Sequence, residues 1–230
     1  MSKLTAEISV EKYNFESGEA ACFDDLVAVE HSLALSAFGE VQMEFTCTPE
    51  DLEPLVAGWL YTSGLISGKG EIEKITFSGD LGATQATLRV GQGGRRRPAP
   101  LPSSECDMPA VRSLIEAFNE KDELFVLTGS VHSCLLASGG RLRLRTRDIG
   151  RHNAIDKAVG RALLEGLELS ECIMFTSGRV PREIAEKAVM AGIPTLVSRS
   201  APTQRGLEFA QQYGLKLMGF STPRQCNIYT

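Results

Sequence analysis

The second half of the chain alternates short apolar segments with amphipathic helical segments, and this alternation constrains the fold more than any other feature. Apolar strands that alternate with helices predict a layered α/β domain with a largely buried sheet. In such sheets ligands bind beside the strand ends, where the loops gather. The segments expected to form strands are 123–130, 141–148, 171–178, 194–200 and 215–220, and those expected to form helices are 109–120, 151–166, 181–192 and 202–214.

The first half predicts mixed β structure with one helix. Thr48 is expected to cap that helix, Pro49 suits its first turn, and Gly64 ends it. The strands expected around it are 7–13, the two arms of a hairpin within 24–49 that turns at Phe38-Gly39, 71–79 and 83–90.

A change of composition separates the two halves. Residues 91–109 hold four prolines and three glycines with almost no apolar side chains, which predicts an exposed, mobile loop or linker. We therefore expect a mixed β-rich domain over 1–100, a linker loop over 101–109 and an α/β domain over 110–230, so that the class is α+β in the first domain and α/β in the second.

Charge and hydropathy argue against two classes of partner. The net charge is −5, whereas generic nucleic-acid binding usually comes with a basic excess. No apolar run approaches the roughly 20 residues that span a bilayer, and the N-terminus lacks the pattern of a signal peptide. We expect a cytoplasmic protein that binds neither nucleic acid nor membrane.

Four loops at the expected strand ends are rich in Gly, Ser, Thr, Arg and His: 128–133, 147–153, 176–183 and 198–203. Helix N-termini bind anions, and arginine forks onto phosphate or carboxylate oxygens, so these loops predict a ligand that bears phosphate. The glycine spacing is that of neither a P-loop nor a dinucleotide fingerprint. A single arginine at a strand end more often forms a surface ion pair, but Arg151, Arg179, Arg182 and Arg199 fall on one expected rim.

Several polar residues in these loops have structural alternatives. His152 and Asp156 share one helical face, where a structural hydrogen bond is as good an explanation as catalysis. His132 is most simply a buried histidine with its hydrogen bonds made. Asp148 and Asn153 can serve as helix caps.

The six cysteines contain no Cys-x-x-Cys pair, which indicates neither a zinc ribbon nor a disulfide scaffold. Cys47 and Cys172 lie in apolar segments typical of core packing. Cys134, close to His132, allows either role. Cys106 is the cysteine in the Gly/Pro-rich loop, where an exposed thiol could visit two partners. Cys22 and Cys226 carry no motif.

Four motifs together resemble one known family. The sequences TGSVHSCLLA (128–137), RDIGRHNAIDKAVG (147–160), FTSGRVPREIAEKAVMAGIPTLVSRSAPT (175–203) and LKLMGFSTPRQCNIYT (215–230) are similar to those of the formate dehydrogenase accessory sulfurtransferases, the FdhD family. The resemblance covers most of 124–230 and extends more loosely over the first half.

The resemblance implies a function that spacing alone does not give. Members of the family take sulfur from a cysteine desulfurase as a cysteine persulfide. They pass it to the molybdenum cofactor, Mo-bis(molybdopterin guanine dinucleotide), which then enters the formate dehydrogenase catalytic subunit. The implied C-terminal fold is the three-layer α/β/α fold of cytidine deaminases, and a homodimer is implied. Because the deaminase motifs H-x-E and P-C-x-x-C are absent, we expect no zinc.

The resemblance also assigns residues. Cys106 is the expected persulfide carrier, although the family usually has a Cys-x-x-Cys pair in this loop and this chain has one cysteine there. Thr222 and Gln225 stand where the family pattern has arginines, with Arg224 displaced by one. The residues expected to bind the cofactor are Arg151, His152, Asn153, Arg179, Arg199, Phe220, Ser221, Thr222, Pro223, Arg224 and Gln225.

Two other functions remain open at this point. The protein could be a non-catalytic chaperone that binds the cofactor and presents it to formate dehydrogenase, which the missing second loop cysteine makes more credible. It could also be a regulator that binds guanine nucleotide in the C-terminal cleft. Whether Cys134 replaces the missing cysteine is a further open question.

Overall fold

The computed structural model describes residues 4–37, 40–80, 83–90, 95–103, 105–119 and 122–230. The N-terminal part contains a two-stranded antiparallel ribbon and a four-stranded mixed sheet of order β4-β3-β6-β5, with one helix against it. The pairing of β3 with β4 confirms the predicted hairpin, whose turn residues Phe38 and Gly39 lie outside the described residues. The elements are β1 (Thr5–Tyr13), β2 (Ala20–Ala28), β3 (His31–Ala37), β4 (Glu40–Cys47), α1 (Leu52–Thr62), β5 (Ile72–Gly79) and β6 (Ala83–Val90).

The C-terminal part is built on a six-stranded mixed sheet of order β12-β11-β10-β9-β7-β8. The core strands β9, β10 and β11 run parallel, and β7 is antiparallel to β9. The elements are α2 (Met108–Asn119), α3 (Glu123–Thr128), β7 (His132–Ser138), β8 (Arg141–Asp148), α4 (Arg151–Glu165), β9 (Ile173–Thr176), α5 (Arg182–Met190), β10 (Thr195–Ser198), α6 (Gln204–Tyr213), β11 (Lys216–Gly219) and β12 (Asn227–Ile228).

Alternate side chains of the sheet enter two separate cores, because successive residues of a strand point to opposite faces. Met174, Leu196 and Leu217 pack with α4, α5 and α6 on one face. Phe175 and Val197 pack with α2 on the other face. The C-terminal part therefore has the three α/β/α layers that were expected. Its further likeness to the deaminase fold stays a prediction, as does the division into domains at 100 and 110.

The prediction of a strand over 123–130 is wrong, because these residues form helix α3 and its C-terminal turn. A run of apolar residues this short does not distinguish a strand from a helix. The ends decide, because the side chain of Asp122 accepts from the amide of Leu124 and Gly129 closes the helix at φ 67°. The strand lies further along, as β7, and takes in the last residues of the predicted loop 128–133.

The two halves meet through helices α1 and α4, which cross at glycines. A Cβ atom on Gly58 would lie 1.8 Å from the carbonyl oxygen of Asp156, and one on Gly160 would lie 1.9 Å from that of Pro54. Real Cβ atoms do not approach backbone oxygens this closely, so any larger residue at either glycine would force the helices apart.

A fully buried ion pair lies beside this crossing. Nζ of Lys157 lies 2.6 Å from a carboxylate oxygen of Asp148, and both side chains have no exposed area. The same ammonium donates to the hydroxyl of Thr48, whose own amide donates to Asp148. The prediction that Thr48 caps α1 is therefore wrong, since its side chain serves this pair and the helix begins after Asp51.

The segment between the two halves is docked along part of its length, unlike the mobile linker that was predicted. The guanidinium of Arg96 donates to the carbonyls of Ile66, Met190 and Tyr61, and it stacks on the Tyr61 ring. Further on, the amide of Leu101 donates to the carbonyl of Tyr213. Helix α2 then begins at Met108, inside the predicted loop, so the stretch that leads to Cys106 is short.

In the described part of the chain, no helix combines the length and the apolarity that crossing a bilayer would require.

Candidate functional site

The loops predicted to bind a ligand meet at one edge of the C-terminal sheet. Strands β9 and β10 end there, and β7 begins there because it runs antiparallel to β9. Backbone hydrogen bonds tie the loops together, from Ser177 to Ser133, from Arg199 to Thr176 and from Ser221 to Ser198. The sequence therefore placed these loops on a common rim correctly.

A cavity of about 460 Å³ opens at this edge, and we call it the rim cavity. It lies between the sheet edge, the end of α2 and helix α3. Its lining residues are Phe118, Asp122, Phe125, Gly129, Ser130, Val131, His132, Ser133, Ser177 and Arg199. Aromatic side chains on one side and hydroxyl, imidazole and guanidinium groups on the other suit a ligand with a flat ring and anionic oxygens.

His132 and Ser177 form the polar centre of the rim cavity. The amide of Ser133 donates to Oγ of Ser177, and that oxygen lies 3.1 Å from Nδ1 of His132. Burial, followed by the charges of Arg151 and Arg179, holds the pKa of His132 below its usual value. The imidazole is therefore neutral at pH 7, and the two cations beside it attract anions.

The one carboxylate that lines the rim cavity among the described residues, Asp122, is paired with an arginine. Nε of Arg147 lies 2.8 Å from Oε1 of Glu50, and Nη1 lies 3.0 Å from Oδ1 of Asp122. The hydrogen bond to Glu50, and after it the one to Asp122, raise the pKa of the Arg147 guanidinium. Because Asp122 is paired in this way, it opposes a bound anion less than a free carboxylate would.

Two buried polar atoms at this edge have no hydrogen-bond partner among the described residues: Nε of Arg151 and Oγ of Ser221. Buried donors are normally paired, so each unpaired one indicates a missing ligand or water. The N-terminus of α4, where Arg151 lies, also lacks a side-chain cap. Gly178 permits the close packing, since a Cβ there would lie 3.0 Å from the Arg151 side chain.

The other predicted residues of the 147–153 loop divide into structural and accessible ones. Asn153 donates to Asp148 and to the carbonyl of Thr46, and Asp148 accepts from the amide of Gly150. Asn153 therefore supports the loop. His152 is half-buried, and burial, followed by the charges of Lys187 and Arg151, holds its pKa below the usual value.

Asp156 does not share a hydrogen bond with His152 although the two lie on one helical face. Its carboxylate accepts two hydrogen bonds of 2.7 Å from Nζ of Lys187, and a third of 2.7 Å from the hydroxyl of Thr62. Asp156 thus ties α4 to α5 and α1, which is a structural role.

Cys106 lies at the other end of the sheet. Its Sγ is 3.4 Å from Oγ1 of Thr195, the first residue of β10, whereas Arg199 follows the last residue of that strand. Four residues of strand correspond to about 13 Å. Cys106 and the arginines expected to bind the cofactor therefore lie at opposite edges of the sheet.

A second cavity, of about 600 Å³, lies beside the N-terminal half of α2, and we call it the thiol cavity. It holds the last four residues of the predicted binding segment 220–225, while Phe220 and Ser221 bond to the rim loops. The segment therefore runs from one cavity to the other. The lining residues of the thiol cavity are Met108, Pro109, Val111, Arg112, Ser113, Ile115, Glu116, Thr222, Pro223, Arg224, Gln225 and Cys226.

The described cysteines separate by burial. Cys47 and Cys134 are fully buried, and burial raises the pKa of Cys47 to about 12 and that of Cys134 further. Cys172 is buried too, and its pKa is raised to about 11 by the same cause. Cys106 and Cys226 are half-buried and Cys22 is exposed. Cys134 is thus buried in the core on the face of the sheet opposite Cys106.

Sequence reasoning missed several residues at both cavities. Phe118 and Phe125 line the rim cavity, but they were hidden inside segments that were taken only as core. Cys226 and Arg112 line the thiol cavity, and no motif marks either of them. Ser177 could have been found, since it lies in the predicted loop 176–183.

Among the described residues, no three His, Cys, Asp or Glu side chains come close enough together to hold a metal ion. The absence of zinc stays a prediction.

Comparisons with known proteins agree on one family. The model of the FdhD/NarQ family matches residues 28–108 and 88–230. Sulfur carrier protein FdhD of Saccharolobus solfataricus is 34% identical over 238 residues, which covers 94% of this chain and 93% of the relative. The protein of the same name from Bacillus subtilis is 29% identical over 254 residues, which covers 99% and 96%.

A solved structure is similar over nearly the whole length. The crystal structure of a protein from Desulfotalea psychrophila, assigned as a formate dehydrogenase accessory protein, superposes with a TM-score of 0.84 at 29% identity, and covers 99% of this chain and 97% of the other. With the family model matched over both halves, this chain belongs to the FdhD/NarQ family.

Proposed function

We propose that this protein is a sulfur carrier in the maturation of formate dehydrogenase, and that Cys106 carries the sulfur as a persulfide. A cysteine desulfurase is the proposed donor and Mo-bis(molybdopterin guanine dinucleotide) the proposed acceptor. The observation that carries the proposal is Cys106 itself, a half-buried thiol on the short segment that leads into α2, in a chain whose relatives are named sulfur carrier proteins.

The first step is thiol exchange. The thiolate of Cys106 attacks the outer sulfur of the persulfide on the desulfurase, a new S–S bond forms on Cys106, and the cysteine of the donor leaves as a thiolate. Cys106 would hold the outer sulfur for delivery to the cofactor as sulfide. Two thiols of a cellular reductant would supply the two electrons of that delivery, leave as a disulfide and return Cys106 to the thiol. Only one thiol is needed to hold the sulfur between the two partners.

The two cavities suit the two ends of such an acceptor. The guanine nucleotide end fits the rim cavity, where aromatic rings can stack on the base and Arg199 can bind phosphate. Arg151, with its unpaired Nε, is a second phosphate ligand. Arg179 and His152 lie at the same edge, and segment 220–225 continues from there toward the thiol cavity.

The distance over which Cys106 can move supports the assignment of the two ends of the acceptor to different cavities. Two residues separate it from Met108 at the start of α2, so while that helix stays folded the two Cα atoms remain within about 7 Å. Phe118, which lines the rim cavity, lies ten residues further along the helix, a rise of about 15 Å. Cys106 can therefore approach Met108 at the edge of the thiol cavity, which supports the proposal that the metal end of the acceptor binds there.

Mass spectrometry tests the function. The protein is incubated with a cysteine desulfurase and cysteine, and the peptides are analysed without reductant. We expect one added sulfur atom on the peptide that holds Cys106, lost in Cys106→Ala and retained in the matched control Cys22→Ala. If no sulfur is added while the cofactor still binds, the protein is the non-catalytic chaperone instead.

A further inference from the structure

The rim cavity carries opposite charges on different walls. Among the described residues that line it, Asp122 supplies the carboxylate and Arg199 supplies the guanidinium. Arg199 directly follows the last residue of β10 at the sheet edge, whereas Asp122 is the N-cap residue of α3. This arrangement gives the cavity a direction, because an anionic group of a ligand is more stable beside Arg199 than beside Asp122.

The Asp122 carboxylate has one oxygen in use and one available. Oδ1 accepts hydrogen bonds of 3.0 Å from the amide of Leu124 and from Nη1 of Arg147. Oδ2 makes no hydrogen bond among the described residues, and 11% of the side chain remains exposed. Because the bonds at Oδ1 hold the carboxylate in place, Oδ2 is a preorganised acceptor for a donor of the ligand.

Two phenylalanines line the rim cavity on either side of Asp122 in the chain. Phe118 lies in the last turn of α2, and Phe125 lies in α3. Phe118 is buried against Phe175, whereas 38% of Phe125 is exposed. A flat ring that stacks on Phe125 can therefore present its edge to the carboxylate that precedes α3.

Of the two purine bases, guanine matches a carboxylate acceptor beside a stacking ring. Its N1–H and its 2-amino group are adjacent donors on one edge, and a carboxylate accepts from both. Adenine presents one donor beside the lone pair of N1, which the carboxylate repels. Adenine would also leave Oδ2 of Asp122 without its full set of partners in a site shielded from water, which costs binding energy.

We propose that Asp122 selects guanine over adenine in the rim cavity by accepting hydrogen bonds from N1–H and the 2-amino group of the base. The inference rests on the proposed function, which assigns a guanine nucleotide to this cavity, and it adds the residue that reads the base. The base then lies toward α3, and the phosphates lie toward Arg199 at the sheet edge. Arg147 acts through Asp122 as a positioning residue, since it donates to Oδ1.

Calorimetry with four nucleoside diphosphates tests the assignment. We expect the wild-type protein to bind GDP at least about 100-fold more tightly than ADP, because a site built to hydrogen-bond a ligand strongly rejects an analogue that lacks the matching donors. Inosine diphosphate keeps N1–H and lacks the 2-amino group, so it should bind about 10-fold more weakly than GDP. Xanthosine diphosphate, with a carbonyl in place of the 2-amino group, should bind weakly.

Asp122→Asn distinguishes base recognition from structural damage. The amide oxygen can still cap α3, but the NH₂ group opposes the donors of guanine, so GDP should bind about 10- to 100-fold more weakly. The same NH₂ group can donate to the carbonyl of xanthine, so the variant should bind xanthosine diphosphate more tightly than the wild type does. Glu123→Gln is the matched control, an exposed neighbouring carboxylate outside the cavity, and should leave all four affinities unchanged.

The outcomes separate this inference from the proposed function. Equal binding of GDP and ADP by the wild type overturns the role of Asp122, and so does an Asp122→Asn variant that loses all four nucleotides equally. Both results leave the carrier function standing. If none of the four nucleotides binds to the wild type, the assignment of a nucleotide to the rim cavity falls together with this inference. Sulfur transfer to Cys106 is measured independently by mass spectrometry, and its absence would overturn the carrier function alone.

Discussion

The two ends of helix α2 differ in how they are held. At the rim cavity, loops are fixed by backbone hydrogen bonds and by the fully buried pair of Asp148 and Lys157 just behind them. At the thiol end, Cys106 lies on a short segment between an anchored Leu101 and the start of α2. A site that recognises one ligand benefits from rigid groups, whereas a thiol that meets a donor and an acceptor must move.

The largest expected effect tests the rigidity of the rim. Lys157→Met leaves the Asp148 carboxylate buried without its ammonium, and removing one partner of a buried pair costs about 3–5 kcal/mol. We expect urea denaturation to show a loss of that size in the free energy of unfolding. The double variant Asp148→Asn/Lys157→Met should recover most of it. A loss below about 1 kcal/mol would mean that the pair does not hold the loop.

The next effect tests ligand recognition at the rim. If the rim cavity binds the nucleotide as proposed, Arg199→Ala removes a charge-assisted hydrogen bond to phosphate, and the affinity for GDP should fall about 10- to 100-fold by calorimetry. Arg205→Ala, an exposed arginine on α6, is the control and should bind GDP as the wild type does. Equal binding by all three proteins would remove Arg199 from the nucleotide site.

The pH dependence of stability gives a smaller effect at the same end. Burial holds the folded-state pKa values of His132 and His152 below the unfolded value of about 6.5. The unfolded chain therefore binds more protons as the pH falls below that value, and the folded protein loses stability on acidification through this window.

Urea midpoints at pH 7.5 and pH 5.5 measure this effect. His132→Gln should reduce the loss between the two pH values, since the variant has no imidazole that the unfolded chain can protonate in this window. A larger loss of stability on acidification in His132→Gln than in the wild type would contradict the lowered pKa of His132.

The smallest expected effect lies at the thiol end. Thr195→Val removes the hydroxyl that lies 3.4 Å from Sγ of Cys106, which frees the thiol to leave its resting position. Alkylation of Cys106 by iodoacetamide should become about 2- to 5-fold faster, as expected for loss of a hydrogen bond worth about 0.5–1 kcal/mol. Slower alkylation would show that Thr195 presents the thiol instead of restraining it.

The sequence predicted the rim well because each of its loops follows a local rule. Amphipathic spacing located α4, α5 and α6, and the shared edge of parallel strands then brought Arg151 and Arg199 together. Segment 123–130 failed because its four consecutive apolar residues fit a strand or a helix equally, and the caps at Asp122 and Gly129 decided the outcome.

The thiol end could not be predicted because its geometry depends on contacts between distant segments. Composition marked the described residues 95–103 and 105–107 as loop, but it missed that α2 begins at Met108. The docking of Arg96 depends on the carbonyls of Tyr61, Ile66 and Met190, which lie far from it in the sequence. Likewise, nothing beside Cys226 in the sequence indicates that it shares a face with Cys106, since that follows from the pairing of β12 with β11.

The separation of nucleotide and thiol sites is tested most directly by measuring whether GDP protects Cys106 from alkylation. The rate of iodoacetamide modification at Cys106 is followed by mass spectrometry with and without saturating GDP, in the wild type and in Arg199→Ala. The account predicts the same rate with and without GDP, because the nucleotide occupies the rim cavity about 15 Å along α2 from Met108. A strong loss of alkylation in GDP that Arg199→Ala relieves would place the nucleotide over the thiol and contradict the account.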